Sequence, residues 1–194
     1  MRFQKVRHPL KNRYVLLRHG QTDANGKKIY MGRLGFGLND TGVEQANQVT
    51  LPNIPDIVFH SPLKRAWQTA EIAARKLGIE NIIADERLLE KAGGDIDGLQ
   101  YDQIAQQCPE SWGIWDGNPL EYIVEARFPN GESDLDVAKR LDGLFAELED
   151  THQGKTILLV THSGVIQAAR YLFGQSKENI YFSPISNCQV EVYE

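Results

Sequence analysis

The sequence predicts a three-layer α/β/α sandwich with a mostly parallel central sheet, and three observations carry that prediction. Tyr14 to Leu17 (YVLL) and Ile157 to Val160 (ILLV) are short continuous apolar runs, the pattern of strands buried on both faces of a sheet. Helical patterns alternate with these and with further strand-like runs, as crossover connections between parallel strands require. At 194 residues and 41% hydrophobic content, the chain fits one compact core.

The elements follow in order. The opening MRFQKVRHPLKNR holds Arg2, Lys5, Arg7, Lys11 and Arg13 with no acid, and Pro9 interrupts any amphipathic helix there. It reads as a solvated basic arm over residues 1–13, ahead of a single domain over 14–194; an organelle address or an anion-binding arm is the alternative. After the YVLL strand, a helix is predicted from Thr41 to Val49, with Asp40 and Thr41 as candidate caps and Glu44 three residues after Thr41. Asp56 to His60 reads as a strand leading through Ser61-Pro62 into a helix from Leu63 to Leu77 that Gly78 closes. Ile82 to Ala84 is a further strand. From Gly93 to Gly131 the Gly, Pro and Trp content leaves no sustained period, so short helices and loops over the site are expected. A helix from Asp134 to Leu148 places Leu135, Ala138, Leu141, Leu144, Phe145 and Leu148 on one face. The ILLV strand is followed directly by a helix from Gly164 to Leu172. Gln189 to Tyr193 alternates apolar and polar residues as a last or edge strand does.

Composition excludes several classes of function. A formal charge of -5 and a pI near 5.6 provide no general field for nucleic acid or an anionic membrane. An anion site must therefore be locally basic. No apolar run approaches the ~20 residues of a bilayer span, and the N-terminus lacks the apolar stretch of a secretory signal. A cytoplasmic protein is expected. Cys108 and Cys188 are too few for a disulfide framework and lack close pairing, so both read as reduced, buried thiols.

The chemistry gathers at strand ends. YVLL runs into Arg18-His19-Gly20, and ILLV runs into Thr161-His162-Ser163-Gly164. Ligands of open parallel sheets sit beyond the carboxyl ends of the strands, so both histidines should reach one cleft. The third strand leads to a helix whose first turn carries Lys64 and Arg65. Two arginines, two histidines and the N–H groups of a helix start suit a tetrahedral dianion. Zinc or iron held by the imidazoles is the competing reading. Neither histidine has a carboxylate or cysteine partner beside it, and Arg18 would repel a cation, so no metal and no cofactor are expected.

These residues resemble the histidine phosphatase superfamily, also called phosphoglycerate mutase-like proteins, over nearly the whole chain. The resemblance rests on RHGQTDAN (Arg18 to Asn25), SPLKRAWQTA (Ser61 to Ala70), Pro129-Asn130-Gly131-Glu132-Ser133 and VTHSG (Val160 to Gly164). It implies a phosphoglycerate mutase-like fold and a phosphomonoesterase that hydrolyses a small phosphorylated metabolite through a phosphohistidine on His19. Arg18, Arg65 and His162 would hold the phosphoryl oxygens, and the N–H of Ser163 would assist. His19 attacks as neutral imidazole, so its other ring nitrogen needs an acceptor, for which a backbone carbonyl near Gly20 is the candidate. Glu90 takes the position of the family's acid, with Asp95 and Asp97 as rivals. Gln21, Thr22 and Asn25 join Arg18, Arg65 and Ser163 as substrate-binding candidates. The chain departs from the family at Ile96-Asp97-Gly98, where an aromatic residue and Glu are usual, and between Asn25 and Arg33. The substrate-facing loop there is expected to be rebuilt. The implied partner is a small-molecule phosphate ester, with no nucleic acid, no membrane, and a homodimer left open. A phosphoglycerate mutase-type phosphotransferase and an inactive phosphate-binding regulatory module are the alternatives.

Overall fold

Five strands form one sheet among the residues that the computed structural model describes, 10–110 and 125–194. They are β1 (Arg13–Arg18), β2 (Ile57–His60), β3 (Ile82–Ala84), β4 (Thr156–Thr161) and β5 (Val190–Tyr193), in the order β3-β2-β4-β1-β5. β1, β4, β2 and β3 run parallel, and β5 closes one edge antiparallel to β1. Parallel neighbours need crossovers, which the helices supply. α1 (Asp23–Gly26) and α2 (Asp40–Gln48) lie between β1 and β2, and α3 (Lys64–Leu77) between β2 and β3. α4 (Tyr101–Gln107) and α5 (Asp134–Thr151) precede β4, while α6 (Ser163–Leu172) and α7 (Lys177–Tyr181) precede β5.

The period-two alternation of the strands sorts the core into two layers. Val15, Leu17, Val58, Leu158 and Val160 pack against Ala66, Ala70, Ala73 and Ala74 of α3, whose small side chains let that helix lie close to the sheet. Tyr14, Leu16, Ile57, Phe59, Ile157 and Leu159 point the other way and pack with Val137, Leu141 and Phe145 of α5 and with Val165 and Ile166 of α6. Each fully buried leucine on these faces contributes roughly 1.5–3 kcal/mol of transfer free energy. Helices thus cover both faces, and this is the expected three-layer arrangement.

Several element ends differ from the sequence reading for local reasons. Asn39, not Asp40 or Thr41, caps α2: its Oδ1 accepts from Gly42 N at 2.9 Å, and Asp40 and Thr41 fall inside the first turn. Ser133 caps α5 in a reciprocal box with Asp136, and the helix runs on to Thr151. Asn12 and Arg13, the last residues of the expected arm, are joined to the folded domain. Asn12 is buried, donating to Leu148 O at 3.0 Å, and Arg13 already pairs with Thr156, while residues 1–9 lie outside the described residues. Both cysteines are free, but each is half-buried rather than buried. The segment from Gly93 to Gly131 contains a 3-10 turn (Gly94–Ile96) and α4, and its residues 111–124 are also outside the described set.

Candidate active site

The carboxyl ends of β1, β4 and β2 lie side by side, and the register joins them directly. His19 N donates to Thr161 O, and Ser61 N donates to Val160 O, each at 3.0 Å. Behind His19 the chain turns at Gly20, where an added Cβ would stand 2.5 Å from Gly42 O. Only glycine lets the strand end seat against α2 there. His19 is 1% exposed, and its Nδ1 is 2.7 Å from Gly20 O. A carbonyl accepts only, so Nδ1 carries the proton and Nε2 keeps its lone pair. This is the acceptor that the sequence reading placed near Gly20.

His162 is fully buried, with its ring centroid 5.2 Å from that of His19. Its Nε2 meets Ser61 Oγ at 2.8 Å, and its Nδ1 has no hydrogen-bond partner among the described residues. Arg65 is also fully buried, donating to Gly32 O and Leu34 O at 2.8 Å each, and Arg18 donates to Ile185 O. In both arginines Nε lacks a partner among the described residues. Burial, then the charges of Arg65 and Arg18, hold His19 well below the ordinary histidine value, and burial followed by Arg65 does the same to His162. Burial draws Arg65 down to about 10, which leaves it charged at neutral pH. Two neutral imidazoles therefore stand beside two guanidiniums. Each unsatisfied buried polar atom costs roughly 1–3 kcal/mol, so this cluster is built for an anionic ligand.

Glu90 reaches the cluster from the segment after β3. Its carboxylate accepts from Lys91 N at 2.9 Å and Gly164 N at 3.1 Å and lies 3.4 Å from Ser163 Oγ, against the first turn of α6. A Cβ on Gly164 would come within 2.6 Å of Glu90 Oε1, so glycine is what permits that approach. The rivals stand elsewhere. Asp95 is exposed and accepts from Asn130 Nδ2, while Asp97 accepts from Gly93 N and Arg33 N and braces its own loop. Ile96 is buried with Ile104 and Phe128. The departure from the family at this turn is therefore absorbed by packing and loop bracing, away from the cavity wall.

A cavity of about 430 Å³ opens over these groups. Arg18, His19, Asn25, Glu90 and Ser163 line its inner end. Arg65 and His162 are buried beside that end without reaching the lining, and Gln21 and Thr22 do not line it either. Thr22 is spent on the cap of α1, where its N–H donates to Asn25 Oδ1 at 3.0 Å and Asn25 N donates back to its Oγ1. Gln21 is tied to Asn39 and Gln45. Sequence reasoning missed the outer end: Tyr30, Lys91, Tyr101, Asp134, Tyr181 and Phe182. The available signals were faint, Lys91 adjoining Glu90 and Asp134 adjoining Ser133. It also missed Ser61 as the partner of His162. Among the described residues, no group of three or more His, Cys, Asp or Glu is gathered as metal ligands would be, and no helix is long and apolar enough to cross a membrane.

A mostly parallel sheet that brings two neutral imidazoles, two guanidiniums and a carboxylate to one edge defines a phosphoric monoester hydrolase of α/β architecture. The chain belongs to the histidine phosphatase superfamily (branch 1), the match spanning residues 14–194. It is 35% identical over 159 residues to phosphoglycerate mutase-like protein 4 of Arabidopsis thaliana, covering 79% of this chain and 67% of that protein. A metal-independent phosphoserine phosphatase from the same plant is 28% identical over 79% of this chain and 65% of its own length. Among solved structures, a mycobacterial glucosyl-3-phosphoglycerate phosphatase in complex with VO3 superposes with a TM-score of 0.77 at 30% identity, covering 93% of this chain and 91% of that one.

Proposed function

We propose that this phosphomonoesterase hydrolyses a small phosphorylated metabolite in two steps, through a phosphohistidine on His19. The observation that carries this reading is the tautomer imposed by Gly20 O, which leaves the His19 Nε2 lone pair available on a ring kept neutral by burial. In the first step Nε2 forms a bond to phosphorus as the ester P–O bond breaks, and Glu90 gives its proton to the departing oxygen. In the second step water attacks phosphorus, Glu90 takes the proton from that water, and the N–P bond breaks to release phosphate. Charge on the equatorial oxygens is met by Arg18 from the cavity lining and by N–H groups at the start of α6 near Ser163, with Arg65 and His162 acting from just behind them, where Arg65 Nε and His162 Nδ1 have no partner among the described residues. Asn25 contributes from the wall, while Gln21 and Thr22 act by holding α1 in place. The relatives named for phosphoserine and glucosyl-3-phosphoglycerate support a small phosphate ester as substrate. Their metal-independent member supports a reaction without a cation. A cytoplasmic setting completes the reading, since both thiols are free.

The test is rapid quenching at alkaline pH during turnover of a labelled ester with excess chelator. The label should sit on His19, and His19→Ala should lose both label and turnover. A label on serine, or activity that chelator abolishes and zinc or manganese restores, would reject the mechanism.

A further inference from the structure

The outer end of the cavity carries chemistry that ester hydrolysis alone does not use. Tyr30, Tyr101, Tyr181 and Phe182 line it together with Lys91 and Asp134, brought there by five separate segments. Lys91 Nζ lies 2.7 Å from Asp134 Oδ1, and the two side chains are only 15% and 13% exposed. Among the described lining residues, Arg18 and Lys91 are the lysine and arginine side chains, and Asp134 neutralises the second of them. Among the described lining residues of this end, a leaving group with its own carboxylate would thus meet no unpaired cation, and it would face Asp134 and Glu90. Freeing Lys91 to serve it would leave the partly buried Asp134 unpaired, a strongly unfavourable state.

A neutral polyol makes different demands. An ammonium has three donors and a carboxylate about four acceptor positions, so the pair, once made, still presents donors and acceptors side by side. That matches two adjacent hydroxyls without splitting the pair. The aromatic wall adds apolar faces for the carbon-bound hydrogens of a ring. Tyr30 and Tyr101 meet edge to face at 6.4 Å, and Phe182, at the mouth, is 70% exposed. A serine-sized leaving group would leave most of this wall and of the 430 Å³ cavity without contact.

We propose that the preferred substrate is the monophosphate of a neutral, ring-shaped polyol, a sugar phosphate whose vicinal hydroxyls engage the Lys91–Asp134 pair while its ring lies on the aromatic wall. This rests on the phosphomonoesterase reading above and narrows it. The test measures kcat/KM for hexose and pentose phosphates, nucleoside 5′-monophosphates, glycerol phosphate, phosphoserine, 3-phosphoglycerate and an aryl phosphate. A cyclic sugar phosphate, free or within a nucleotide, should exceed glycerol phosphate, phosphoserine and phosphoglycerate by at least about ten-fold, because buried hydrogen-bonding groups discriminate against ligands that leave them unmatched. The two sugar series separate free sugars from nucleosides as the source of the diol. The double variant Lys91→Met/Asp134→Leu removes both charges together. It should lower the ratio of sugar to aryl turnover by about ten-fold or more, and Tyr181→Ala should move it the same way by less. A preference for phosphoserine or phosphoglycerate, or an unchanged ratio in both variants, would overturn the substrate class while leaving hydrolysis intact. Hydrolysis of none of the esters would instead overturn the phosphomonoesterase reading.

Discussion

The two ends of the cavity are built by different means. At the inner end, His19, Arg18 and His162 stand at the ends of β1 and β4, neighbours in one sheet, and Arg65 follows β2 by a few residues. Their placement follows from strand register, and their side chains are held by backbone carbonyls and a serine hydroxyl. The outer end has no such frame. Its aromatic rings and its ion pair come from a loop, the segment after Glu90, the starts of α4 and α5, and the end of α7. A rigid sheet edge suits groups that must meet a transition state, whereas an assembly of loops and helix ends can be re-shaped for a different leaving group without disturbing the chemistry.

Substitutions can break this division, and the largest effect is expected where the two ends meet, at Glu90. Glu90→Gln should slow the phosphorylation of His19 by an alkyl phosphate by roughly 10² to 10⁴-fold, because a basic alkoxide needs a proton to depart. An aryl phosphate releases a stabilised phenolate and should slow far less in burst kinetics. Equal losses on both esters would remove Glu90 as the proton donor.

At the inner end, the pH dependence of stability tests the buried imidazoles. His19 and His162 have folded values below the ordinary 6.5. Above that pH both rings are neutral folded or unfolded, and they add no slope. As pH falls below it, the unfolded chain binds protons that the folded one refuses, so stability drops by up to about 1.4 kcal/mol per pH unit for each ring. Urea midpoints between pH 7.5 and 5.5 should show this fall, and His162→Gln should have the shallower slope. Parallel slopes would mean that His162 is not held neutral.

The smallest effect belongs to the outer end. Ser133→Ala removes the cap that seats Asp134 at the first turn of α5 and should cost about 1 kcal/mol by chemical denaturation. Sugar phosphate turnover should suffer more than aryl phosphate turnover. Equal changes in the two would detach the cap from the outer wall.

The sequence by itself determined the layers, the strand candidates and the inner end. Buried parallel strands are continuous apolar runs, and YVLL and ILLV carry the histidines on the residues that follow them. Reading the residues in order is enough when a strand delivers its chemistry at its own end. Tertiary structure decided the rest. That Nδ1 of His19 faces Gly20 O was expected, but that Ser61 meets His162, 101 residues away, depends on the β2–β4 register. Asp95, Asp97 and Glu90 lie within eight residues of one another in the sequence, and only the path of the turn assigns Glu90 to the cavity and Asp97 to its own loop. Lys91 and Asp134 are 43 positions apart with no period linking them. Their meeting follows from the docking of α5 on the sheet, a packing event that local sequence cannot express.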